Sequence, residues 1–123
     1  MKPCKILIIE DDHGIREVFA KVLTLKGHDV STANNGKEAL DSLKGMDDAE
    51  LPDCMLLDLM MPVMDGRTFL EHIERENRLS RIPILVTTAL RVGPSTEALP
   101  LSPKILKKPL KLDTLLKEIE VVV

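Results

Sequence analysis

The stretch Pro52-Asp-Cys-Met-Leu-Leu-Asp-Leu-Met-Met-Pro-Val-Met-Asp-Gly66 decides the fold. Cys54 to Leu57 is a short apolar run that reads as a buried strand, and it delivers one carboxylate, Asp58, at its C-terminal end. Leu59-Met60-Met61-Pro62 then turns the chain, and Asp65-Gly66 opens a helix. A carboxylate at the end of a buried strand is unfavourable unless a partner pairs with it or a reaction uses it. The remainder of the chain can be read as supplying what Asp58 needs.

Upstream, Lys5-Ile-Leu-Ile-Ile9 is a continuous β-favouring run, the mark of a strand covered on both faces, and it ends in Glu10-Asp11-Asp12. Ile15, Val18, Phe19, Val22 and Leu23 recur at helical spacing, with Gly27 as a C-terminal stop. His28 to Ala33 is a weaker alternating strand, and Asn35-Gly-Lys-Glu38 resembles a capping box for a helix carrying Ala39, Leu40 and Leu43. The acidic run Met46-Asp-Asp-Ala-Glu50 is expected in solvent.

Downstream, Asp65 caps a helix with Phe69, Leu70 and Ile73 on its inner face. Arg81 to Ala89 is the fourth strand, with Pro83 near its start, where a strand tolerates one. Ile105-Leu-Lys107 is the fifth, running into Lys108-Pro109, and Leu112, Leu115, Leu116 and Ile119 mark a closing helix. Between these two strands, Pro94, Pro100, Pro103 and Gly93 allow at most a single turn around Ser95 to Leu99.

Strand and helix patterns alternate five times, which argues for an α/β fold with a parallel sheet and helices on both faces. Ligands of such sheets gather outside the carboxyl ends of the strands, where strand order reverses. Glu10, Asp11, Asp58, Thr87, Thr88 and Lys108 all fall at those ends.

Composition narrows the function. The 123 residues suit one domain, 1–123, and the net charge of −3 with no basic stripe argues against direct nucleic-acid binding. Two Phe and no Trp or Tyr argue against surfaces that stack bases or flavins. No stretch has the apolar length of a membrane span and the start lacks a signal-peptide layout, so a cytoplasmic protein is expected. Cys4 and Cys54 lie in apolar contexts and read as buried reduced thiols.

Glu10, Asp11 and Asp58 in one crevice repel one another, by about 4 kcal/mol for a pair ~4 Å apart at an effective dielectric of ~20. A cation must therefore sit there, and an all-oxygen site with room for water suits Mg²⁺. Lys108 adds a fixed positive charge and a threonine hydroxyl adds a donor. Together they describe an acceptor of a phosphoryl group, with Asp58 attacking and the cations neutralising the transferred oxygens.

The chain resembles a response-regulator receiver domain along essentially its whole length. The resemblance is carried by Ile8-Ile9-Glu10-Asp11-Asp12, Leu57-Asp58-Leu59-Met60-Met61-Pro62-Val63-Met64-Asp65-Gly66, Val86-Thr87-Thr88-Ala89 and Lys107-Lys108-Pro109. It implies a flavodoxin-like, doubly wound five-stranded sheet of order 2-1-3-4-5. It makes Asp58 the phospho-acceptor, with Asp11 binding Mg²⁺ directly, Glu10 through water and Met60 through its carbonyl. Thr88 becomes the switch hydroxyl and Lys108 the phosphate-contacting lysine, with a cis bond before Pro109. The implied donor is a sensor histidine kinase or phosphotransfer protein, and the implied output is a contact with a further protein, with a homodimer compatible. On this reading the chain is a signalling phospho-acceptor rather than an enzyme acting on another substrate.

Plainer roles account for several neighbours. Asp12 reads as a first-turn residue at a helix N-terminus, Asp65 as a cap, Thr87 as a strand-packing residue, and His13, His28 and His72 as surface histidines. Two departures from the family fall on signal output. Ile105 stands where an aromatic is common, and the fourth helix is expected to be short or irregular across residues 90–103. Met60 and Leu90 occupy positions that tune dephosphorylation in relatives; neither can orient a water, so slow loss of phosphate is expected. The rival readings are a phosphorylation-independent pseudo-receiver and a phosphohydrolase, the latter disfavoured because Met60 stands where a second acid is usual.

Overall fold

The protein is described from a computed structural model, in residues 2–89 and 99–123. Five parallel strands, β1 (Lys5–Ile9), β2 (Asp29–Ala33), β3 (Cys54–Asp58), β4 (Ile84–Thr88) and β5 (Lys104–Lys107), form one sheet of order β2-β1-β3-β4-β5. Four helices are described: α1 (His13–Leu25), α2 (Gly36–Lys44), α3 (Gly66–Glu74) and α4 (Leu112–Val122). The chain goes from β1 to one edge and then returns past it to β3, so strand order reverses between β1 and β3. Ile9 pairs with Leu57 there, and Asp58 pairs with Thr87 on the other side of β3.

Successive strand residues point to opposite faces, and this alternation splits the apolar runs into two cores. Leu7, Ile9, Met55, Leu57 and Val86 pack against Leu40, Phe69 and Ile73 from α2 and α3. Ile6, Ile8, Leu56 and Leu85 join Leu23, Leu115 and Ile119 from α1 and α4 on the other face. Every residue of β3 and β4 is buried, whereas edge strands β2 and β5 keep exposed positions. The continuous and the alternating patterns in the sequence separate central strands from edge strands as this burial requires.

Each helix is bounded by the chemistry its sequence offers. Asp12 caps α1 by accepting from the Ile15 amide at 2.9 Å, and Gly27 (φ 96°) ends it, with Gly27 N–H on the Thr24 carbonyl and His28 N–H on the Leu23 carbonyl. Asn35 caps α2 through the Glu38 amide, while the Glu38 carboxylate reaches back to the amide of Asn34 rather than Asn35. Asp65 caps α3 through the Thr68 amide at 2.8 Å.

Three expectations need correction or limitation. His28 is not a surface residue: it is buried, its Nδ1 accepts the Cys4 amide at 3.1 Å, and the Cys4 Sγ lies 3.3 Å from the same atom. The Schellman turn after α1 folds residue 28 inward, which a strand-edge pattern does not reveal. The short or irregular fourth helix and Leu90 lie mainly outside the described residues. Within its described end, Leu99 is buried and Leu101 and Ser102 have left-handed φ values of 68° and 45°. Arg81 to Pro83 precede β4 rather than opening it, although the Pro83 carbonyl still accepts the Met55 amide at 3.0 Å.

Candidate functional site

The site sits at the carboxyl ends of β1, β3, β4 and β5, across the point of strand reversal. β1 places Glu10 immediately after Ile9, and its carboxylate is almost wholly buried (3% exposed), whereas Asp11 is exposed. β3 ends on Asp58, 4% exposed, and ligand oxygens of Glu10, Asp11 and Asp58 all lie within 4.8 Å of one another. β5 delivers Lys108, whose Nζ is 3.2 Å from Glu10 Oε1 and 3.4 Å from Asp58 Oδ1. Its amide donates to the Thr88 carbonyl at 2.8 Å, which ties the end of β5 to the end of β4. The Lys108–Pro109 peptide is cis.

Thr88 is buried at the end of β4 beside this cluster. Thr87 packs within the sheet, with its hydroxyl 3.5 Å from the Leu57 carbonyl, in line with a structural role. Met60 follows in the β3–α3 loop, and its amide donates to Asp58 Oδ1 at 3.2 Å, orienting the carboxylate. The Met60 side chain is 57% exposed, so only its backbone can serve the site. Asp65, distant in role, is the α3 cap, and none of the three histidines belongs to the acidic cluster.

Electrostatics follow from this crowding. Burial pushes Glu10 up to about 7, the hydrogen bond and negative charge of Asp58 add to the rise, and the Asp12 amide and Lys108 oppose it. For Lys108, burial pulls downward, but the Asp58 and Glu10 carboxylates outweigh it and the ammonium is held above its ordinary value. Lys108 pairs with two of the three clustered carboxylates, so the pocket keeps excess negative charge. That excess, made of oxygen donors alone, fits a hard divalent cation such as Mg²⁺.

Two contacts are not legible from motif spacing. Arg16 Nη1 donates to the Glu10 carbonyl at 2.9 Å and its Nη2 lies 2.9 Å from His13 Nδ1, fixing the start of α1 against the end of β1. Only the six-residue separation of Arg16 and Glu10 could have hinted at this, and it is no recognised period. The other is an apolar groove of about 540 Å³ beside Lys108, between Ile15, Val18 and Phe19 of α1 and Pro109 and Leu110.

Comparison with known proteins agrees with this architecture. Residues 6–120 match the family model described as the response regulator receiver domain. The structure is similar to the chemotaxis response regulator CheY4 of Vibrio cholerae, with a TM-score of 0.85 and 28% identity over 99% of this chain and 100% of that one. The N-terminal domain of a response regulator receiver protein from Methanoculleus marisnigri has a TM-score of 0.75 and 33% identity over 99% and 98% of the two chains. A probable transcriptional regulator, ycf27, of Cyanidium caldarium is 41% identical over 85 residues, 69% of this chain and 31% of that protein. The chain thus spans about a third of the length of the curated relatives it matches (32% for a ycf27 protein of Porphyra purpurea).

Proposed function

The chain belongs to the response regulator receiver domain family of two-component signalling, and from that premise we propose that residues 1–123 act as one receiver unit whose phospho-acceptor is Asp58. The observation that carries the assignment is the convergence of Asp58, Glu10, Asp11 and Lys108 at the strand-reversal point. The donor is a phosphohistidine on a sensor kinase or phosphotransfer protein, and the output is a contact with a further protein. Such donors place the chain in the cytoplasm, and among the described residues no helix is long and apolar enough to cross a membrane.

An Asp58 carboxylate oxygen attacks phosphorus, forming an O–P bond as the N–P bond breaks and its electron pair leaves with the imidazole. The Met60 amide, already on Oδ1, holds the carboxylate in place for attack. Lys108 leaves its carboxylate partners to meet a phosphoryl oxygen, and the Thr88 hydroxyl donates to another. Glu10, Asp11, Asp58 and the Met60 carbonyl would hold Mg²⁺, which supplies positive charge for the carboxylates and the transferred oxygens. The chain is then a phospho-acceptor in signalling, promoting only its own modification and its reversal. The intact acids and lysine argue against a phosphorylation-independent interaction module.

Incubation with acetyl phosphate and Mg²⁺, followed by intact-mass measurement, tests the assignment. Wild type should gain one HPO₃ and Asp58→Asn none. A wild type that never gains mass, or a variant that gains as much, would defeat it.

A further inference from the structure

We propose that Arg16 is a positioning residue for the proposed metal ligands, holding the Glu10–Asp11 peptide so that both carboxylates stay aimed at the same point as Asp58; the inference rests on the phospho-acceptor reading. Arg16 ends the first turn of α1 and sends its guanidinium back over the end of β1. Nη1 donates to the Glu10 carbonyl and Nη2 lies against His13 Nδ1, each at 2.9 Å. Arginine has no acceptor, so the imidazole nitrogen accepts. A planar guanidinium held at two of its nitrogens is fixed in orientation as well as in place.

The Glu10 carbonyl belongs to the peptide that joins two of the three clustered acids. Other contacts hold the chain on either side of that peptide. The Glu10 amide donates to the Ala33 carbonyl at 3.2 Å, and the Asp12 carbonyl accepts the Arg16 amide at 2.9 Å while Asp12 Oδ1 caps α1. Between them Asp11 is exposed, so packing does not set its direction. Rotation of the peptide would swing the Asp11 carboxylate away from Glu10 and Asp58, with which it shares a 4.8 Å cluster. The Arg16 hydrogen bond opposes that rotation, because turning the peptide carries its carbonyl off the guanidinium.

Charge alone predicts the opposite effect on metal binding. A guanidinium is positive at any working pH, and a positive group beside the site repels a divalent cation. Removing it should therefore tighten binding if Arg16 contributes charge and nothing else. If it aims the ligands, its loss should weaken binding, as the loss of other outer-shell partners does. The sign of the change separates the two.

Mg²⁺ affinity is read from amide shifts in an NMR titration with Mg²⁺ alone, and stability from calorimetry of the metal-free protein. Arg16 is half-buried, so substitutions that keep its alkyl stem should leave the protein folded. Arg16→Met, which removes the donors and the charge, should weaken Mg²⁺ binding on the order of tenfold. Arg16→Lys, which keeps the charge and one donor for the same carbonyl, should bind within about threefold of wild type. A side chain that only staples α1 to β1 would lower Tm in Arg16→Met and leave affinity unchanged. That result, tighter binding in Arg16→Met, or a lysine variant no better than the methionine one overturns the inference alone. A wild type with no Mg²⁺-dependent shifts at Asp11 and Asp58 overturns it together with the phospho-acceptor reading.

Discussion

Glu10 is the residue through which pH acts on this site. Its folded-state pKa, about 7, lies above the ordinary 4.5, so between those values the folded protein keeps a proton that the unfolded chain has released. Metal-free stability should therefore fall as pH rises from about 4.5 to 7. Glu10→Gln removes that slope and should exceed wild type in stability at pH 8, as urea denaturation at pH 5 and pH 8 would show. Lys108→Ala should have the opposite sign, losing about 2 kcal/mol at pH 8 because two buried carboxylates lose their charged donor. On the proposed role of Glu10 at the metal, its proton must leave before Mg²⁺ binds, so affinity should rise as pH passes through about 7; a pH-independent affinity would contradict that role. The acids and Lys108 were legible because charges stand out at the ends of apolar runs. His28 was not, because its burial depends on the turn that Gly27 makes after α1.

At the scale of elements, the Asp65-Gly66 pair shows how a motif acts physically. Asp65 starts α3, and Gly66 lets that start approach the preceding loop: an added Cβ would stand 2.7 Å from Leu59 Cα. Gly66→Ala should lose about 2 kcal/mol through this overlap, and weaken Mg²⁺ binding because the loop carrying Met60 must move. Asp65→Ala should lose only about 1 kcal/mol, the worth of a cap, with Mg²⁺ binding unchanged. Thermal denaturation and an Mg²⁺ titration of both variants check the contrast. Capping residues, the apolar faces of the helices and the end of β3 were readable because each obeys a local rule. The start of β4 was misplaced because Ile82 and Pro83 continue the apolar pattern while the sheet pairing begins at Ile84.

Across the whole molecule, the two-faced core accounts for both the fold and the quiet chemistry of the opposite end of the sheet. Cys4 and Cys54 are buried free thiols; burial raises both, Cys54 to about 12, with a smaller push from neighbouring charge. Native protein at pH 8 should react with a thiol reagent only at the rate of unfolding, and both thiols should react at once in urea; rapid native modification would contradict their burial. Five strand–helix alternations made the doubly wound sheet legible, and the order β2-β1-β3-β4-β5 followed from resemblance and is seen in the structure. For residues 90–103 the prolines limited the sequence reading to a short or irregular helix, and most of that segment lies outside the described residues. Ile105, partly buried against the α2–α3 core, leaves no aromatic at that position to report a change at Thr88.

The most direct test of Asp58 as phospho-acceptor is an NMR amide fingerprint of wild type and Asp58→Asn with Mg²⁺ and beryllofluoride, a phosphoryl mimic. The predicted result is a set of shifts around Asp11, Asp58, Thr88 and Lys108 in wild type that the variant lacks. An unresponsive wild type, or the same shifts in the variant, would contradict the account.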